Sequence, residues 1–270
     1  MREVTVAVVQ MEPHLADVQA NLERMSEFIE QICLRQKTDL IVFPELVTTG
    51  YEGGVKFTEL AERKSGPIVN LIAQRAAKFS THIAFGMALK EKVESILYDA
   101  AILIGPDGEF IGDYRKVHLQ DEERLAFRPG YRYRVLECGF GDIGIILGWD
   151  LAFPETARSL VLDGAEILCV LANWKTPHEN EWRTYLLARA YENSIFVAAA
   201  NRIGAEYTYS FVGQSMIVGP RGAIHAVVDE PDEGYGVARI DLDEIRAARE
   251  EFQLIQAREP RTYRAVVRNY

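Results

Sequence analysis

Glu45, Lys116 and the turn Gly148-Trp149-Asp150 are the residues whose types and settings could do chemistry in this chain. Glu45 follows the apolar run 40–43 and Pro44, which places its carboxylate at the C-terminal end of a short buried strand, where α/β folds bind ligands. A carboxylate held partly out of water has a raised pKa and can serve first as general base and then as general acid. A surface glutamate at a helix start would have the same neighbours in sequence. Lys116 lies in Tyr114-Arg115-Lys116-Val117-His118-Leu119, at the end of a strand that begins near Pro106-Asp107-Gly108. An ammonium there could stabilise a developing oxyanion, and a solvated Arg-Lys pair is the plainer alternative. The third segment leaves an apolar strand at Leu147 and runs through Gly148-Trp149-Asp150-Leu151-Ala152-Phe153-Pro154-Glu155 into an apolar helix.

Elements able to position these groups can be read from periodicity. Residues 4–9 alternate and are β-branched, as a strand requires, and 21–35 carry Leu22, Met25, Ile29 and Ile32 on one helical face. A short buried strand is expected at 40–43, an amphipathic helix at 68–79 and a strand at 82–87. Strands at 95–104 and 108–114 follow, joined at Gly105-Pro106-Asp107-Gly108. The second half repeats the rhythm: strand 143–147, helix 154–162, strand 166–171, helix 179–192, strand 194–200. A strand at 211–218, the turn Gly219-Pro220-Arg221-Gly222, strands at 223–228 and 236–240, and a short helix near 242–250 lead to a polar tail. Helices alternating with strands and hairpins predict an α/β fold with mixed sheets covered by helices. No Pro/Gly/Ser-rich linker interrupts the 270 residues, so one domain is expected over 1–270.

The formal net charge is −10, with both signs interspersed, which argues against nucleic acid or an anionic membrane as the main partner. No apolar stretch is long enough to span a bilayer and none at the start reads as a signal peptide, so a cytoplasmic location is expected. Cys33, Cys138 and Cys169 are too few and too irregularly spaced for a disulfide framework or zinc site. Burial is expected for Cys33 and Cys169, and Cys138 precedes a turn between strands. The five histidines show no ligand spacing, so no metal is expected, and no phosphate loop or dinucleotide motif points to a cofactor.

Taken in order, Phe43-Pro44-Glu45-Leu46, the lysine segment with Glu122-Glu123 and Phe127-Arg128-Pro129-Gly130 after it, and Gly148-Trp149-Asp150 with Phe153-Pro154-Glu155 resemble the nitrilase, or carbon–nitrogen hydrolase, family. Ala198-Ala199-Ala200-Asn201-Arg202 and Phe211-Val212-Gly213-Gln214-Ser215 extend the resemblance over essentially the whole chain. It implies a four-layer α-β-β-α sandwich and a Glu–Lys–Cys catalytic set. Glu45 would be the base and Lys116 the oxyanion-stabilising ammonium. A second glutamate, aligning best with Glu123 and alternatively with Glu122, would orient the lysine and the substrate amide. The nucleophilic cysteine of the family falls at Gly148, where backbone N–H groups of the following turn would help hold the oxyanion. Glu155 and Arg158 read as structural, through capping, dipole compensation and an ion pair.

Glycine supplies no nucleophile, so the resemblance implies an aliphatic-amide hydrolase inactivated at its centre. Either the cysteine was replaced deliberately or the chain is a natural pseudoenzyme that binds an amide metabolite or a protein partner without cutting; survival of every other anchor favours replacement. The glycine also leaves a gap beside Glu45 and Lys116 that could admit a water. Tyr51, Trp149, Asn173, Trp174 and Lys175 are the expected substrate-binding residues, and Lys175 or Arg202 could hold a substrate carboxylate. Nitrilase or N-carbamoyl hydrolase activity is the alternative within the family. Relatives pair into dimers, which implies a homodimer or higher homo-oligomer, with the tail 252–270 able to cross a subunit interface.

Overall fold

A computed structural model describes residues 1–91 and 96–268. The first half contains β1 (Glu3–Gln10), α1 (Val18–Arg35), β2 (Leu40–Val42), α2 (Phe57–Leu60), α3 (Pro67–Phe79), β3 (His82–Lys90), β4 (Leu97–Ile104) and β5 (Phe110–Arg115). After α4 (Glu123–Ala126) come β6 (Val135–Cys138), β7 (Gly141–Leu147), α5 (Pro154–Leu162), β8 (Ile167–Ala172), α6 (Glu179–Asn193) and β9 (Phe196–Asn201). The chain closes with β10 (Met216–Val218), β11 (Ile224–Val227), β12 (Gly234–Asp241) and α7 (Asp243–Phe252).

The strands form two six-stranded sheets, ordered β12-β1-β2-β3-β4-β5 and β11-β10-β9-β8-β7-β6. Each has three parallel central strands, β1, β2, β3 and β7, β8, β9, flanked by antiparallel ones. The period of two along each strand splits its side chains between two cores. Val4, Val6 and Val8 of β1 share a core between the sheets with Ile143, Ile145 and Leu147 of β7. Ala7 and Val9 face outward onto Met25, Phe28 and Ile29 of α1 and Ile68 and Ile72 of α3. On the other sheet, Leu168 and Val170 pack under Leu160 and Val161 of α5 and Trp182 and Leu186 of α6. The layers are therefore helix, sheet, sheet, helix, the four-layer sandwich expected.

Local signals explain the helix limits. Asp17 accepts from the Ala20 N–H at the start of α1, satisfying one of the orphan donors of a first turn. Pro67 and Pro154 occupy the first turns of α3 and α5, where proline's missing N–H costs nothing. The expected strand over 211–218 is shorter than the apolar run suggests. Only β10 is extended, because Gly213 (φ 68°) and Gln214 (φ 54°) turn through the left-handed region just before it. Phe211 instead makes a single bridge to Lys175. Cys33 is half-buried rather than buried, while Cys169 lies wholly inside. Burial raises the Cys33 and Cys138 thiols to about 11 and about 12. Ser95, the expected first residue of the strand that becomes β4, and Tyr270 of the tail lie outside the described residues. Among the described residues, the tail beyond α7 makes two short helical turns and exposes Tyr263, Val266 and Val267. No helix among the described residues is long and apolar enough to cross a membrane.

Candidate active site

Glu45 is carried just past β2, a central strand. The Phe43 N–H donates to Ala84 O at 2.8 Å and the Gly86 N–H to Pro44 O at 3.1 Å, so the segment stays against β3 after the strand ends. A side chain on Gly86 would stand 2.5 Å from Leu46 N and 2.6 Å from Glu45 Cα, so only glycine permits this approach. The chain then turns at Leu46 (φ 46°), and the Glu45 side chain points into the protein at 1% exposure.

Lys116 follows β5, with its backbone N–H on Asp99 O at 2.9 Å and its carbonyl accepting from the Gly130 N–H at 2.7 Å. The ammonium donates to Glu45 Oε1 at 2.7 Å and Glu123 Oε1 at 2.6 Å, and stands 3.7 Å from Asp99 Oδ2. Of the two adjacent glutamates, α4 buries Glu123 and exposes Glu122. Glu123 also accepts from Tyr51 OH at 2.9 Å and from the Gln120 N–H at 2.9 Å. The second oxygen of Glu45 accepts from the Asn173 N–H at 3.0 Å and from Asn173 Nδ2 at 3.2 Å, at the end of β8.

Gly148 opens a 3-10 turn, Gly148–Ala152, directly after β7. The first N–H groups of such a turn have no partner within it. Its φ of 40° lies where side-chain-bearing residues are strained. A Cβ placed there would lie 2.6 and 3.0 Å from the Glu45 carboxylate oxygens and 3.0 Å from Lys116 Nζ. The gap expected beside the glycine is thus largely taken by the Glu45 carboxylate itself.

Asp150 ties this turn to the lysine segment. It accepts from Tyr114 OH at 2.6 Å, from the His118 N–H at 2.9 Å and from the Leu147 N–H at 3.3 Å, and meets His118 Nδ1 at 2.8 Å. His118 stacks on Phe153 with ring centroids 3.7 Å apart. Arg158 donates to the Glu192 carbonyl at 2.8 Å, a structural contact with α6.

Burial governs the electrostatics. It raises the Glu45 pKa; Lys116 pulls the other way and is outweighed. Burial also opposes the charge on Lys116 and is the largest single influence on it, yet its neighbouring carboxylates, Glu123 first and Glu45 next, hold its pKa well above the ordinary lysine value. The Tyr51 hydroxyl is raised by burial and by Glu123, so it remains a donor. The cation among these carboxylates is the ammonium of Lys116.

The cluster forms the floor of a cavity of about 300 Å³. All nine residues singled out from the sequence line it: Glu45, Lys116, Glu123, Gly148, Tyr51, Trp149, Asn173, Trp174 and Lys175. Tyr185, Tyr209, Asp121 and Glu181 also line it and were not anticipated. Lys175 Nζ sits 3.9 Å from the Tyr209 ring centroid, 4.8 Å from that of Tyr51 and 3.5 Å from Asp121. Arg202 is not at the cavity. It is buried against Glu206, the Ile203 and Pro13 carbonyls and the Phe211 ring, so its charge is already used. A depression of about 440 Å³ lined by Glu12, Glu23, Arg24, Glu27 and Glu233 lies elsewhere, and none of these side chains is buried.

Residues 5–250 match the carbon-nitrogen hydrolase family. A probable nitrilase of Schizosaccharomyces pombe is 40% identical over 253 residues, covering 93% of each chain. An (R)-stereoselective amidase of a Pseudomonas species is 32% identical over 254 residues, covering 94% of this chain and 90% of its own. In fold, the crystal structure of a carbon-nitrogen hydrolase from Helicobacter pylori G27 superposes with a TM-score of 0.93 at 24% identity, covering 99% of each chain. The chain belongs to the carbon–nitrogen hydrolase, or nitrilase, family.

Proposed function

We propose that the cavity binds a small aliphatic amide and that position 148 is the nucleophile position of an amidase, left without a nucleophile by glycine. One observation carries the reading: a side chain at 148 would meet both oxygens of Glu45 and the Lys116 ammonium within 3.0 Å. A thiol there would have a base and an oxyanion-stabilising cation in contact with it. Glu45, with a pKa raised by burial, suits a base that must give its proton back near neutral pH.

In a cysteine-bearing form the steps balance as follows. Glu45 takes the thiol proton as sulfur bonds to the amide carbon, and Lys116 with backbone N–H groups of the Gly148–Ala152 turn stabilises the oxyanion. The C–N bond breaks, and ammonia departs with the proton returned by Glu45. Water, deprotonated by Glu45, then cleaves the thioester to give the carboxylate. With glycine none of these covalent steps can begin, and loss of a nucleophile alone costs about six orders of magnitude in rate in a serine protease. Trp149, Trp174 and Tyr51 would wall the substrate, and Glu123 would orient Lys116 and the amide.

Intact Glu45, Lys116, Glu123 and Asp150 support replacement of a former cysteine over long-standing loss of catalysis. The other reading, a natural amide-binding pseudoenzyme, draws on a cluster in which Lys116, Glu45, Glu123 and Asn173 are already joined by hydrogen bonds without any side chain at 148. Isothermal titration with a panel of small amides, followed by ammonia assays on Gly148→Cys, separates them. We expect amide binding by the glycine protein and ammonia release only from the variant. A folded variant with an accessible thiol that stays inactive across amides and nitriles would remove the enzyme reading. The left-handed backbone and the approach to Glu45 should make the variant less stable by about 1–2 kcal/mol.

A further inference from the structure

Asp99 is a buried acid that none of the catalytic roles above uses. It lies on β4, within the apolar run Leu97–Ile104, and is wholly inaccessible to solvent. Its backbone carbonyl holds the Lys116 N–H, but among the described residues neither of its carboxylate oxygens meets a hydrogen-bond donor. Its oxygens come within 4.8 Å of those of Glu45 and Glu123. The Lys116 ammonium is 3.7 Å away, beyond hydrogen-bond reach and a full ångström longer than its bonds to the two glutamates.

Three buried carboxyls around one ammonium cannot all be ionised cheaply, because like charges this close disfavour each other's charged form. The donors decide which carboxyl takes a proton. Glu123 accepts from Lys116, Tyr51 OH and the Gln120 N–H. Glu45 accepts from Lys116 and twice from Asn173. Asp99 accepts from nothing. A proton on Asp99 turns an orphaned acceptor into a donor, with the Glu45 carboxylate among the acceptors within 4.8 Å of it.

We infer that Asp99 is held as a neutral carboxylic acid whose O–H donates to Glu45, making it a positioning residue that keeps Glu45 ionised and aimed at position 148. Burial first and Glu45 second raise the Asp99 pKa well above the usual carboxylate range, in keeping with the geometry. The groups facing Asp99 are Glu45 after β2, Lys116 after β5 and Glu123 on α4. The place of the proton stands on the geometry of this chain alone; its consequence for catalysis rests on the reading of Glu45 as base.

Infrared spectroscopy and unfolding titrations on the protein as it exists test this. At neutral pH we expect a protonated-carboxyl band that shifts on carbon-13 labelling of aspartate carboxyls and vanishes in Asp99→Asn. A folded-state pKa above the unfolded value of about 4 stabilises fully below that value, and this contribution is lost as pH rises through the folded pKa. The unfolding equilibrium constant should therefore rise about tenfold per pH unit across that window from this one proton. Asp99→Asn, which keeps a donor without a titration, should lose that component and keep the fold. A pH slope unchanged in Asp99→Asn, or a neutral-pH spectrum without an aspartic acid band, overturns the inference. The isotope shift needs no variant, so poor folding of Asp99→Asn would not shield it.

Discussion

Phe-Pro-Glu occurs at 43–45 and again at 153–155, and the two glutamates meet opposite fates. Glu45 is buried in an ion cluster, whereas Glu155 is exposed in the first turn of α5. The two sheets share one pairing pattern, yet the copies are not equivalent within it. The first follows β2, and the second follows β7, whose counterpart in the first sheet is β1. The residue at the end of β8, the true counterpart of β2, is Asn173, and Asn173 is what binds the second oxygen of Glu45. The middle strands of two like sheets thus deliver an acceptor and its donors to one point. A tripeptide does not fix a role; the strand end that carries it does.

Substitutions at the two glutamates' surroundings put this contrast to the test. Lys116→Met should have the largest effect, because it leaves Glu45 and Glu123 buried without their cation, at a cost of about 3–5 kcal/mol near neutral pH. The stranded carboxyls would bind protons more tightly when folded than when unfolded. Their stabilising contribution is then present at low pH and lost as pH rises through their folded pKa values. Urea denaturation at about pH 5 and about pH 8 should therefore show a smaller penalty at the lower pH; an equal penalty would speak against an ionised cluster. Glu155→Gln should be the smallest change. Losing an exposed acid from a helix N-terminus costs about 0.5 kcal/mol or less, and ammonia release in a Gly148→Cys background should be unaltered. A large loss of turnover there would erase the distinction between the two copies.

Much of the site was legible because its residues sit where strands end. Glu45 and Gly148 each follow an apolar run, Lys116 ends a strand that begins at a turn signal, and their order along the chain carried the family resemblance. The choice between Glu122 and Glu123 was not legible, since the two are chemically identical and only the orientation of α4 separates them. Asp99 was hidden inside Leu-Tyr-Asp-Ala-Ala-Ile-Leu-Ile, read simply as a strand. A lone acid in such a run was the available signal. Arg202 looked free because its partner Glu206 lies in a loop that sequence patterning does not place. Asp150 read as an anchor of the third segment, but its role in joining that turn to His118 and Tyr114 depends on contacts across the sandwich.

Thiol reactivity at position 148 tests the central claim without knowledge of the substrate. Gly148→Cys would be treated with iodoacetamide near neutral pH and the modified cysteines mapped by mass spectrometry. With Glu45 and Lys116 against it, the introduced thiol should react at least about tenfold faster than Cys33 or Cys138, whose thiols burial raises to about 11 and about 12. An accessible introduced thiol that reacts no faster than those two would contradict a base and an ammonium converging on that turn.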